Sequence, residues 1–225
     1  MKKIINSIGL LAALITLGSC GFQKPLTSNY FNNGKKVGII YDIDSIGVFK
    51  NGSQGLLDMA LTSENRFKEP LKVVDQKINP TQKIKNTFQN AFLNRKKQII
   101  ALDHSLDYEK LDKFGKSDSK YKEYHRYDLR SLKEQGIDEL LIVSVRYGLS
   151  VSDYGMIETG KDGSCYITYE IVDLDDNSLL YRDTSVGLKK IKGKWKTPPN
   201  YDNLTNAIDG AISQATDVQK TKLYK

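Results

Sequence analysis

The run Leu140-Leu141-Ile142-Val143-Ser144-Val145 constrains this chain more than any other feature. It follows Asp138-Glu139 and is the strongest strand signal in the sequence, continuing to about Val151. Such a strand must be covered, so neighbouring strands and helices have to come from the rest of the chain. Asp128 is placed to cap a helix just before it, running through Leu129, Leu132 and Lys133. Gly136 ends that helix, because glycine adopts the left-handed conformation cheaply.

The other elements follow from period and punctuation. Val37-Gly38-Ile39-Ile40-Tyr41 reads as a buried first strand. A short helix over 54–61 and a short extra strand at Leu71-Lys72-Val73-Val74 come next. Asn79 caps a helix that Pro80 opens, since proline lacks the amide hydrogen that would go unpaired there. Ile84, Phe88, Ala91 and Phe92 then recur on one helical face, and the helix ends near Arg95. Gln98 to Leu102 reads as a second buried strand, Asp107 to Phe114 as a short helix, and Gly115 to Tyr124 as a polar loop. Farther on, Tyr166 to Asp173, a turn at Asp175-Asp176-Asn177, and Leu179 to Val186 form an antiparallel hairpin. A last helix starts near Tyr201, with Leu204, Ile208, Ala211, Ile212, Ala215 and Val218 in one stripe. The expected fold is α/β: a single mixed β-sheet with helices packed on it, an antiparallel hairpin near the C-terminal end, and a C-terminal helix.

The first residues form a different unit. Lys2 and Lys3 precede a mostly apolar stretch from Ile4 to Leu17. It is shorter than the ~20 apolar residues a transmembrane helix needs. Leu17-Gly18-Ser19-Cys20 then resembles the lipobox of bacterial lipoproteins. That resemblance implies a signal peptide over 1–19, cleavage before Cys20, and acyl chains on Cys20 as the membrane attachment. Residues 20–36 are expected to be a lipidated tether, with 37–225 as one domain. Gly21 after the cysteine favours delivery to the outer membrane under the enterobacterial sorting rule; a periplasm-facing anchor is the expectation, and no residue distinguishes it from a surface-facing one.

The element order in a lipoprotein is similar to that of the TolB amino-terminal-domain group, which includes penicillin-binding-protein activator lipoproteins and curli-secretion lipoproteins. Three segments carry the resemblance. Lys36-Val37-Gly38-Ile39-Ile40 looks like the opening strand. Gly136 to Val145 is similar to a Gly-any-Asp segment followed by an apolar strand. Ile171 to Tyr181 is similar to an apolar-Asp-turn-apolar hairpin. The resemblance implies a non-enzymatic protein that binds an envelope partner, or a subunit that self-associates through the edge of the hairpin at Tyr166 to Val186.

Charge is +7, or +5 once Lys2 and Lys3 are removed. Arg95-Lys96-Lys97 and Lys189 to Lys196 are the densest basic segments and read as solvated surface, with anionic lipid or polymer as the alternative. No nucleic-acid motif accompanies them. Cys20 and Cys165 are the two cysteines, so with Cys20 lipidated no internal disulfide is expected. Cys165 reads as a small apolar strand residue. No P-loop, Rossmann fingerprint, nucleophile elbow, zinc-protease helix or calcium loop is present, and no cofactor is expected.

One cluster offers chemistry. Asp42 and Asp44 follow the first strand, and Asp103 and His104 follow the second. If these strands are parallel neighbours, all four lie at one sheet edge, where α/β sheets favour ligands. They could hold a metal and support a hydrolase, although polar residues also end strands simply because the chain leaves the core. Tyr147, Tyr154, Tyr166, Tyr169, Tyr181 and Trp195 are candidate interface aromatics, most of them expected to pack on the sheet.

Overall fold

The computed structural model describes residues 26–27, 29–51, 65–115, 122–154 and 157–223. The signal segment, Cys20 and the helix expected over 54–61 lie outside them. The described part is α/β, with six strands in one mixed sheet. The strands are β1 (Val37–Ile43), β2 (Gly47–Asn51), β3 (Ile99–Ala101), β4 (Glu139–Tyr154), β5 (Ile157–Asp173) and β6 (Leu179–Lys190). The helices are α1 (Asn65–Lys77), α2 (Pro80–Leu93) and α3 (Asp202–Leu223).

Sheet order is β3-β1-β4-β5-β6, with β2 also paired to β4. β1 lies parallel to both β3 and β4, and β2 continues alongside β4 where β1 ends. β4, β5 and β6 form a long antiparallel meander. The Leu140 run is its first limb, and it extends beyond the expected Val151 to Tyr154.

The helices cover one face of the sheet. Asn79 caps α2 by accepting from the Gln82 amide at 3.4 Å, and Ile84, Phe88, Ala91 and Phe92 point into the core. α3 lies unusually close to the hairpin. A Cβ on Gly163 would sit 2.3 Å from the Ala207 carbonyl oxygen, and one on Gly187 would sit 1.9 Å from that of Ala211. The two glycines, facing Ala207, Ala211 and Ala215, let helix backbone rest on strand backbone. Burial follows the expected stripe except at its end, where Gln219 is buried and Val218 only partly.

Four expectations are corrected. Leu71 to Val74 is not a strand but part of α1, where Phe67, Leu71, Val74 and, just past its end, Ile78 recur at helical spacing and are buried. Gln98 to Leu102 shortens to the edge strand β3, and Ile100 is exposed rather than buried. Asp107 to Phe114 is a turn followed by a bridge from Lys113 to Tyr127, its Leu111 drawn onto the second core. The helix after Asp128 is a 3-10 helix at Arg130–Gln135, with the Asp128 carboxylate accepting from the Arg130 amide at 3.1 Å. Gly136 ends it at φ 77°, as expected.

The segment read as a tether is structured from Asn29 onward. Tyr30–Asn32 is one 3-10 turn and Tyr30 is buried. Its ring meets Phe31 and Phe92 edge-on, at 5.0 and 6.4 Å. No helix among the described residues is long and apolar enough to cross a membrane.

Candidate functional site

The two faces of the sheet are covered unequally. Against the helices lie Leu141, Val143, Val145, Ile167, Tyr169 and Ile171. On the opposite face a second, smaller core joins Ile40, Leu140, Ile142, Val172 and Leu179 to Leu129, Ile137 and Leu174. Leu102, Leu106, Leu111 and Leu132, from the long connection between β3 and β4, roof this core.

Past that roof the face becomes polar. Ser144, Thr168 and Thr184 stand side by side across β4, β5 and β6, with the two threonine hydroxyls 3.2 Å apart. Arg146, Tyr166 and Val186 form the next rung. Together with Phe49, all of these but Val186 line a groove of 710 Å³. That volume falls within the ~300–1,000 Å³ usual for binding sites. Phe49 meets Tyr166 edge-on at 5.7 Å and walls one side. On the roofed side Arg182 bonds Glu170 at 2.5 Å, and His125 lies 3.8 Å from the same carboxylate. The floor is rigid, because every strand beneath it is paired on at least one side. The lining offers hydroxyls, one edge-on aromatic pair and the cationic side chains of Lys50 and Arg146.

The four residues singled out for chemistry share the sheet edge as expected, since β1 and β3 are parallel neighbours. They do not assemble further. Asp42 is still within β1, opposite Ser144. Its carboxyl is raised above the usual range, first by burial, then by Asp44, with Arg146 opposing. Asp44 instead faces Arg146, at 3.3 Å. Asp103 and His104 are exposed where the chain leaves β3. Among the described residues no three His, Cys, Asp or Glu side chains group to hold a metal ion, these four included.

No protein-family model matches the chain, and no curated protein does. Among solved structures, the PelC dodecamer of Paraburkholderia phytofirmans is similar over 88% of this chain and 94% of that one, at 11% identity and TM-score 0.34. A hypothetical protein of Chlamydia trachomatis aligns over 84% and 98% at 9% identity and TM-score 0.32. The LpoB C-terminal domain of Salmonella enterica aligns over 68% and 82% at 12% identity and TM-score 0.21. The likeness is a loose one of fold and assigns no activity.

A charged cluster went unread in the sequence. Lys97 and Glu139 are an ion pair at 3.4 Å with side chains 1% and 0% exposed. Tyr30 donates its hydroxyl to Glu139 at 2.7 Å, Asn33 donates to the same carboxylate at 2.9 Å, and Lys97 also bonds the Asn33 side chain. Lys97 sits 4.4 Å over the Tyr30 ring. Burial lowers the Lys97 pKa while Glu139 opposes, and burial followed by Glu139 raises Tyr30. Lys97 is therefore no part of a solvated basic patch. It clamps the segment at 30–33 to the start of β4.

The aromatics divide. Tyr147, Tyr169 and Tyr181 are core residues, Tyr166 lines the groove, and Tyr154 is 80% exposed. Trp195 is half-buried against Phe67 at 5.3 Å. Cys165 is free and buried, and burial pushes its thiol up to about 12, as suits an inert core residue.

Proposed function

We propose that this chain is a non-enzymatic lipoprotein of the cell envelope, anchored through Cys20 to the outer membrane, that binds a partner envelope protein on its open sheet face. The observation that carries the reading is the unequal cover of the sheet: three helices on one side, and on the other a rigid polar groove bounded by Phe49 and Tyr166. Rigid scaffolds that leave one such surface free suit recognition. The lipobox residues Leu17 to Cys20 support the anchor.

Two experiments test the two halves. Fatty-acid labelling should mark the wild type, and Cys20→Ala should abolish labelling and block processing. Persistence of label in Cys20→Ala removes the anchor at Cys20. For the partner, Thr184→Arg places a long cation in the groove at an exposed position. It should leave the melting temperature unchanged and cut whole-cell crosslinking to the partner at least ten-fold. Unchanged crosslinking removes the open face from the interface.

A second reading, self-association, has one observation in its favour. β6 is the terminal strand of the sheet. The Thr184 amide and carbonyl are taken by the side chains of Asp183 and Lys222, so they face away from β5. Backbone direction alternates along a strand, so Val186 and Leu188 also present theirs outward, as strand addition requires. Size measurement on the detergent-solubilised lipidated protein decides it, because a strict monomer excludes a stable assembly. The metal-hydrolase alternative would need Asp42, Asp44, Asp103 and His104 on one ion, and their placement gives it no support.

A further inference from the structure

The two ends of the molecule differ in chemistry. One end holds the entry of the N-terminal segment, clamped by Lys97 and Glu139 at the start of β4. The other lies about 50 Å along β4, at strand spacing, where β4 turns into β5. There Tyr154 is 80% exposed and Ile157 is 68% exposed. Large apolar side chains bared at the tip of a hairpin gain nothing for the fold.

The same end is basic. Lys190 pairs with Asp162 at the close of β6. Between Thr184 and Asp202 the chain carries Lys189, Lys190, Lys192, Lys194 and Lys196 and no acid. All five lysines are exposed. Their loop is fixed to the hairpin: Lys161 lies 5.0 Å over the Trp195 ring, and Trp195 packs on Phe67. Glu158, beside the tip, is already held by Arg66 at 2.7 Å and by Lys161. Asp153 and Asp162 are the remaining acids of the hairpin end, so cations prevail there.

We infer that this end, Tyr154 and Ile157 with the lysines of 189–196, docks on an anionic phospholipid surface. The charge is complementary to such a surface, and apolar side chains projecting beside lysines are the arrangement by which interfacial anchors combine insertion with attraction to headgroups. An acidic protein partner would explain the lysines but would not call for two bared apolar side chains at the tip of a ribbon. The contact is separate from the groove and does not rest on the lipid at Cys20. Because it lies opposite the clamped entry of the chain, a protein tethered at one end can touch a second lipid surface with the other.

The chain from Gly21 onward keeps every described residue and carries no acyl chain, so it isolates this contact. It should sediment with vesicles of phosphatidylglycerol and phosphatidylethanolamine, release at high salt, and ignore phosphatidylcholine vesicles. Trp195 is the single tryptophan, so brominated acyl chains should quench its emission on binding. Lys192→Gln with Lys194→Gln should weaken binding roughly thirty-fold, at about a factor of five per lysine. Tyr154→Ser with Ile157→Ser should weaken it while keeping the salt dependence. All these positions are exposed, and unchanged melting confirms that the fold is intact. No binding to anionic vesicles, equal binding to neutral ones, or full binding by the double lysine variant would each overturn the inference.

Discussion

Lys97 and Glu139 show what a single buried pair demands. Removing one partner leaves the other charged and dry, which costs about 3–5 kcal/mol. Lys97→Met should therefore destabilise strongly, while Lys97→Met combined with Glu139→Leu should recover much of the loss. Urea unfolding of the single and double variants measures the coupling, and additive effects would contradict a direct pair. Titration adds a second expectation at this scale. Burial raises the pKa of Tyr30, Tyr169, Tyr181 and Cys165, the last two to about 12. A group whose folded pKa lies above its unfolded value contributes stability that is present below the unfolded pKa and lost as pH rises. Stability should thus be level to about pH 8 and then fall, by up to about 1.4 kcal/mol per pH unit for each such group. Thermal melts between pH 7 and 12 check the sign, and a rise in stability above pH 10 would contradict it. Neither feature was legible in the sequence. Lys97 closes a basic triplet and Glu139 precedes an apolar run, and nothing local says that two such residues will meet across the sheet.

Elements were legible where their period is long and unbroken. The Leu140 run, the hairpin and the stripe of α3 each keep one period over many residues, and each forms as expected. α2 was announced by Asn79 and Pro80. α1 was missed because Pro70 and the Val73-Val74 pair argue against a helix locally, whereas burial of Phe67, Leu71 and Val74 on one face outweighs that preference. The seating of α3 gives two predictions. Gly187→Ala drives a methyl group into the Ala211 carbonyl and should cost about 1–3 kcal/mol or more by overpacking. Gln219 has a buried amide with no hydrogen-bond partner among the described residues, so Gln219→Met should stabilise the fold by about 1–3 kcal/mol. Denaturant melts of the two variants should move in opposite directions.

At the scale of the whole molecule, the mixed sheet follows from the order of elements, but its asymmetry does not. The sequence places four polar residues at the edge of β1 and β3, and the structure keeps them there without bringing them together. The surface it builds instead lies across β4, β5 and β6, from Ser144, Arg146, Tyr166, Thr168 and Thr184. These alternate with core residues, so in sequence they read only as the outward half of ordinary strands. They become a groove because Phe49 walls one end and the roof over Ile142 and Leu140 closes the other. Lipid at Cys20 would hold this surface in the envelope, and the clamp at Tyr30 would fix where the chain enters the domain. The most direct test is to place a photo-crosslinking side chain in living cells at Thr168 or Thr184 on the open face, and at the half-buried Ser213 of α3, on the helix-covered side of the sheet, as the control. The groove positions should yield one discrete envelope-protein adduct that Ser213 does not. Equal adducts at all three sites, or none at Thr168 and Thr184, would contradict the open face as the partner-binding surface.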